Sequence, residues 1–452
     1  MLPGHVIWSN VQGSAILIDC GLHQGSRELD EENAGPFGFE AASIDYLLLT
    51  HAHLDHCGRL PLLAKRGFRG EIIMTAASRE LARLVLLDAA HLQEEDAHYH
   101  ARKLAGRGSG GKAVKPLYST VDALHCLDFF GRTAEYGQVL NLAPGVKATF
   151  LDAGHILGSA SIYLDLEEKG HKTSVLFSGD LGKAGHFLLR NPSKPPISEN
   201  VVMETTYGDR LHKELAPSID EFFAAITETF ARGGNVVIPT FALERAQELL
   251  YLLNQGMAQG RIAGSTPVYL DSPMAISATE IFRRYPDAFE PAAAKLFQEG
   301  HDPFNLPELH FTRQTADSIA INSVKSGAII MAGSGMCTGG RIRHHLRNNL
   351  GRAASGIVFV GYAANGTLGR RIIDGAKEVS IFGEMIPVRA RIYTINGFSA
   401  HADQAELLTW HKQASAKHTF LVHGEEATMN QFAAKISGSR VEMPAPDAVF
   451  EL

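Results

Sequence analysis

A chain of 452 residues that is 45% hydrophobic and 20% charged has the make-up of a soluble globular protein too long for one ordinary core, so two domains are expected. No apolar stretch approaches a membrane span, and MLPGHVIWSN has no cationic region leading into an apolar core, so neither a spanning helix nor a signal peptide is expected. The formal net charge of −7 argues against a globally basic nucleic-acid binder, although GGRIRHHLRNN (339–349) and GRR (369–371) make one local basic region.

The pattern alternates strand and helix. SAILIDC (14–20), DYLLLT (45–50) and EIIMT (71–75) read as short buried strands. A long helix is expected from Ala76 to about Leu104. AGRGSGGKAVKP, rich in glycine and lysine, breaks it as a surface loop. Strand patterns return at KATFLDA (147–153), SIYLDL (161–166), TSVLFSG (173–179) and NVVMET (200–205). After TYGDR the texture changes to four strand-then-helix units, opening with NVVIPTFALERAQELL, TPVYLDSPMAISATEIF, GAIIMAGSGMCTGGRIRHHL and GIVFVGYAANGTLGRRII. That is the grammar of a parallel sheet flanked by helices. From about Arg391 the chain forms ARIYTINGFSAHAD and HTFLVHGEE, where histidines again follow apolar runs.

The informative positions are those where apolar runs stop. They carry Asp19, His51, His155, Asp180, Glu204 and His423. In an α/β fold the carboxyl ends of parallel strands share one edge, so such residues can converge. HAHLDH (51–56) is the strongest signal. Three histidines and an aspartate in one tight turn supply the nitrogen and oxygen donors of a divalent metal. Within it, His51 and His53 can serve one ion, Asp55 and His56 a neighbouring one. A lone strand-end histidine is more often structural, but once this turn binds metal the others become candidate ligands. HLQEEDAHYH (91–100) is also His-rich, yet it falls on the long helix, and His91, His98 and His100 read as solvated or as supporting the ligands from behind.

HxHxDH followed by GHILGS and SGDLG resembles the metallo-β-lactamase superfamily. METTYGDR with Glu204, GFSAHAD with His401 and LVHGE with His423 resemble the motifs of its β-CASP branch, as do DSPMA, GSGM, GTLGR and RAQELL. The resemblance implies an α/β fold: an αββα sandwich (residues 1–208 and 391–452) interrupted by an inserted β-CASP domain (209–390) with a mostly parallel sheet. It implies two Zn2+ per chain. One would be held by His51, His53, His155 and Asp180, the other by Asp55, His56, Asp180 and His423, with Asp180 bridging. Asp19 would orient the ligands through hydrogen bonds.

The activity implied is hydrolysis of phosphodiester bonds in single-stranded RNA, endonucleolytic, by a hydroxide bridging the metals. Asp55 would take the water's proton. His401, kept protonated by Glu204, would serve as general acid. Helix starts after GSGM and NGTLGR would offer N–H groups to phosphates. Candidate RNA contacts are Arg245, Ser334, Gly335, Arg341, Thr367 and Arg370, with Tyr207, Phe241 and Tyr362 as stacking partners.

Only residues 1–13 precede SAILIDC, so an edge strand usual in the family is expected to be missing or altered. Cys20, Cys57, Cys126 and Cys337 form no CxxC pair and suit a reducing cytoplasm. No membrane partner is expected, and a homodimer is left open. Two rival readings are a metallohydrolase of small esters or thioesters, which the insert opposes, and a non-catalytic RNA-processing scaffold. Scaffolds of this kind lose metal ligands, and this chain keeps them.

Overall fold

The computed structural model describes residues 7–11, 13–23, 32–105, 115–361, 363–445 and 448–452. Most of the glycine- and lysine-rich break after the long helix, and Tyr362, lie outside the described residues. The chain forms two compact units. The first comprises Met1–Gly185, Asn191–Leu211 and His401–Leu452, the second His186–Arg190 and His212–Ala400.

The first unit holds two sheets. One has five strands in the order Ile7–Val11, Ser14–Ile18, Tyr46–Leu48, Glu71–Thr75, Phe130–Ala134. Ile7–Val11 pairs antiparallel with Ser14–Ile18, so a strand is present at the edge where one was expected to be missing or altered. The other sheet has seven strands, from Arg440–Glu442 at one edge through His418–Val422, Asn200–Glu204, His171–Phe177, Ala160–Glu168 and Val146–Asp152 to Val139–Ala143.

Period-2 alternation assigns each strand's faces. Ile16, Ile18, Leu48 and Ile73 from the first sheet share one buried core with Phe150, Ile162, Leu164, Phe177 and Phe420 from the second. The opposite residues of the second sheet, Leu176, Val201, Met203 and Leu421, pack on Leu407, Trp410 and Phe432. These last belong to helices Gln404–Ala414 and Glu426–Ala433. The long helix Ala76–Ala105 lies against the first sheet. Helix, sheet, sheet, helix is the αββα arrangement. His91, on the long helix, is exposed beside Glu95.

The second unit is built on a six-stranded sheet in the order Leu309–Phe311, Val268–Leu270, Ile329–Ala332, Val236–Pro239, Gly356–Phe359, Arg391–Thr394, every pair parallel. Buried Val237, Ile330, Ile357 and Phe359 meet Ile342 and Leu346 of helix Ile342–Asn349 and Leu368 and Ile372 of helix Leu368–Ile373. Two departures from the sequence reading concern this unit. Leu309–Phe311 is a further short strand, whose three residues are too few to show alternation. Arg391–Thr394 was expected beyond the insert, but it hydrogen-bonds in register with Gly356–Phe359 and closes the edge of this sheet. The chain returns to the first unit only at His401.

Candidate active site

Strand direction places the polar residues. Val146–Asp152, His171–Phe177, Asn200–Glu204 and His418–Val422 all run the same way, because two antiparallel steps through Ala160–Glu168 restore the direction. His155, Asp180, Glu204 and His423 therefore emerge at one edge of the seven-stranded sheet. Asp19 and His51 follow the parallel strands Ser14–Ile18 and Tyr46–Leu48 of the facing sheet.

Glycines let these loops touch backbone to backbone. A Cβ on Gly21 would stand 1.6 Å from the carbonyl oxygen of Asp55. One on Gly182 would stand 1.7 Å from that of Gly154. The first contact seats the HAHLDH turn, the second joins SGDLG to the loop of His155. Ser159 Oγ accepts the N–H groups of His155 and Ile156 at 3.0 and 3.2 Å and holds that loop in turn.

His51, His53, His155 and Asp180 form one group whose donor atoms all lie within 4.8 Å of one another. His53 Nδ1 is 3.1 Å from His51 Nε2 and 3.2 Å from His155 Nε2. Asp180 Oδ2 is 3.5 Å from both of those Nε2 atoms. Tetrahedral coordination with bonds of roughly 2.0–2.1 Å spaces its ligands roughly 3.3 Å apart, so a zinc-sized ion fits these four. Asp55, His56 and His423 form a second group. His56 Nε2 is 3.4 Å from Asp180 Oδ1, and His423 Nε2 is 3.5 Å from Asp55 Oδ2. Asp180 thus turns one oxygen to each group. His56 Nε2 and Asp180 Oδ1 are buried and make no hydrogen bond. Such atoms are costly unless an ion completes them, so the donor set fits a divalent cation at each group.

The charges agree. Burial opposes ionisation of Asp180, but His423 and His56 outweigh it and hold its carboxyl well below the ordinary range. Burial likewise disfavours charging His56, and Asp180 with Asp19 overcomes it. Burial keeps His53 neutral, lowering it to about 4. Burial also disfavours charging His423, and Asp180 with Asp55 overcomes it; a bound cation would compete with such protons. Asp19 bonds directly to this set. Its Oδ1 accepts the Thr50 N–H at 2.7 Å, and its Oδ2 accepts the Thr50 hydroxyl at 2.8 Å and His56 Nδ1 at 2.7 Å. His56 Nε2 is left to face Asp180. Asp19 does this from φ +58, a left-handed backbone open to Asp by its short polar side chain.

Glu204 and His401 lie beside the first group. Buried Glu204 accepts the Leu181 N–H at 2.6 Å and His401 Nδ1 at 3.1 Å. The His401 ring is 4.4 Å from that of His155, and its side chain is 21% exposed. Burial opposes the charge on His401, yet the Glu204 carboxylate prevails and raises it to about 9.

Comparison with known proteins decides the family. A Beta-Casp domain matches residues 246–372, a Zn-dependent metallo-hydrolase RNA specificity domain matches 385–446, and the metallo-beta-lactamase superfamily matches 5–228. Ribonuclease TTHA0252 of Thermus thermophilus is 39% identical over 92% of this chain and 88% of its own length. The chain belongs to the β-CASP family of the metallo-β-lactamase superfamily. It is a metal-dependent hydrolase. Transcription termination factor FttA of Methanocaldococcus jannaschii is 32% identical over 92% of this chain and 64% of its own length. FttA of Methanococcus maripaludis is 33% identical over 91% and 63%. The chain thus spans somewhat less than two thirds of these archaeal relatives.

In this β-CASP protein the candidate RNA contacts are spread over the second unit and mostly engaged there. Arg245 is buried and paired with Glu248. Together with His186 and Glu244 these make a buried polar group in which the arginine already neutralises one carboxylate. Arg341 binds Asp271 at 2.8 Å and the carbonyls of Thr312 and Arg313 at 2.8 Å, with 22% of its side chain exposed. Arg370 pairs with Asp374 and is 39% exposed. Ser334 Oγ accepts the N–H of Thr338 at 3.1 Å, and Thr367 Oγ1 caps its helix by accepting the Arg370 N–H at 3.2 Å. Gly335 packs so closely on Phe241 that a Cβ would meet the ring at 2.7 Å. Tyr207 lies in the first unit, 6.1 Å from the His401 ring.

The sequence reading missed Thr50, Thr206, Gly21 and Gly182. The two threonines carry no charge. The glycines look like ordinary turn residues until the opposing backbone is in view.

Proposed function

We propose that this protein is a zinc-dependent ribonuclease that cuts single-stranded RNA internally, with two Zn2+ per chain. The observation that carries the reading is the Glu204–His401 pair standing beside donor groups joined by Asp180. A proton donor next to paired metal groups suits phosphodiester cleavage, whose leaving oxygen must be protonated. The relatives named ribonuclease and termination factor, and the RNA specificity domain match, support RNA as substrate.

His51, His53, His155 and Asp180 would hold one ion, and Asp55, His56, Asp180 and His423 the other. When bound, the pair supplies an activated water and neutralises charge on the phosphoryl group. Asp55, whose Oδ2 lies 3.5 Å from His423 Nε2, is the carboxylate we propose to take the water's proton. His401 gives its proton to the leaving 3′-oxygen, and Glu204 stabilises the cationic ring until then. Arg341 and Arg370 keep part of their side chains exposed and are the arginines we propose for phosphate contact. Arg245, buried on Glu248, is not among them.

Incubation with end-labelled single-stranded RNA carrying a 5′ hydroxyl, monophosphate or triphosphate tests this. Internal products whatever the 5′ end are expected. Stepwise loss of nucleotides from a 5′ monophosphate would replace the endonuclease by an exonuclease. Intact RNA with turnover of a thioester or lactone would replace the ribonuclease altogether.

A further inference from the structure

Thr206 follows Glu204 by two residues and links both halves of the site. Its backbone N–H donates to Glu204 Oε2 at 3.2 Å. Its hydroxyl oxygen is 3.0 Å from His423 Nδ1 and donates to the carbonyl oxygen of His423 at 3.3 Å. A threonine hydroxyl has one hydrogen and two lone pairs. When that hydrogen is directed to the carbonyl, the oxygen is free to accept from Nδ1, and this arrangement requires the proton on Nδ1. His423 stands at φ +50, a conformation rare for a non-glycine residue, and from there both its carbonyl and its ring reach the one hydroxyl.

We infer that Thr206 is a positioning residue that keeps the proton on Nδ1 of His423 and thereby commits Nε2 to the metal. The choice is a real one. Nδ1 lies 3.5 Å from Asp180 Oδ1, and Nε2 lies 3.5 Å from Asp55 Oδ2, so either nitrogen has a carboxylate to share an ion with. Which nitrogen binds metal is set by the hydrogen bond the other makes. His56 solves the same problem with a carboxylate, since Asp19 takes its Nδ1 at 2.7 Å. At His423 a second carboxylate would stand next to Glu204 and compete for the His401 proton. A hydroxyl fixes the ring without adding charge. Through its N–H, the same residue also steadies Glu204.

The inference rests on the metal-centre reading proposed above, and the test separates the two. Zinc stoichiometry and affinity are measured by chelator competition, and the histidine nitrogens of zinc-loaded, 15N-labelled protein are read by NMR. Wild type is expected to hold two zincs, with His423 protonated at Nδ1 and coordinated through Nε2. Thr206→Val keeps the N–H to Glu204 but loses the hydroxyl. It should weaken one zinc by about ten- to a hundredfold, leave the other unchanged and lose the Nδ1–H signal. Thr206→Ser should recover both. Unchanged affinity with Nε2 coordination in Thr206→Val overturns the inference, as does coordination through Nδ1 in wild type. The wild-type spectrum decides the matter if Thr206→Val does not fold. Wild type that folds without a zinc on His423 sinks the metal-centre reading itself, before any variant is made.

Discussion

His401 Nδ1 lies 3.1 Å from Glu204 Oε1, although 197 residues separate the two in sequence. The His212–Ala400 part of the second unit lies between them in the chain. Strand Asn200–Glu204 ends on the carboxylate, and His401 is the first residue of the returning chain, bridged to Gly182.

His401→Ala should therefore separate binding of metal from chemistry. Its zinc content is expected to match wild type, because His401 is not among the proposed ligands. RNA cleavage should fall by on the order of 10²–10⁴-fold, the usual contribution of a positioned acid. Glu204→Gln removes the charge that raises His401 and should also slow cleavage, by less. Single-turnover rates beside metal analysis measure both, and wild-type cleavage by His401→Ala would remove it from the mechanism.

The glycine contacts make a different prediction. Gly21 meets the Asp55 carbonyl where no Cβ has room, at 1.6 Å, and the neighbour is backbone rather than a flexible side-chain end. Gly21→Ala should displace the HAHLDH turn, lower the melting temperature and weaken both zincs, though no ligand is altered. A variant with wild-type zinc affinity would show that the turn tolerates the shift.

These examples mark what the sequence displays and what it hides. HAHLDH, the strand-end residues and the β-CASP motifs are legible because ligand chemistry demands particular residue types at fixed spacing. The αββα layers and parallel second sheet follow from strand and helix periodicity. Strand Arg391–Thr394 was assigned to the wrong unit because pairing partners leave no local mark on an apolar run. Arg245 read as a phosphate contact because its partner Glu248 is only visible once both are buried. Thr206 and Gly21 act through a hydroxyl and a missing Cβ, and neither stands out by composition.

Removing metal should loosen the first unit. His56 Nε2 and Asp180 Oδ1 are buried without hydrogen bonds, and the carboxylates there are left to proton balance alone. Chelation is expected to lower the melting temperature, and added zinc to restore it progressively. At a hundred times its dissociation constant, a ligand that binds only the folded state contributes about 2.7 kcal/mol. Asp180→Asn, which weakens the residue shared by both groups, should abolish most of that response. A melting temperature indifferent to chelator in wild type would contradict a structural share for the ions.

The last prediction concerns the second unit. Asp271 is fully buried, and its oxygens accept bonds from Thr312 Oγ1, Ser318 Oγ and His345 Nε2 at 2.6 Å each and from Arg341 at 2.8 Å. Burial works against its charge, but these donors, His345 first, hold the carboxyl well below the ordinary range. Asp271→Asn leaves buried donors facing an amide and should cost about 3–5 kcal/mol, as loss of one partner of a buried pair does. The sign with pH follows from linkage. The folded value lies below the unfolded one near 3.9, so the unfolded chain takes up the proton first as pH falls. The contribution is complete above the unfolded value and fades as pH drops through the folded one. The stability gap between wild type and Asp271→Asn, measured by urea unfolding, should accordingly narrow between about pH 5 and pH 2. A gap that stays constant over that range would mean that the charge on Asp271 does not carry its part in the network.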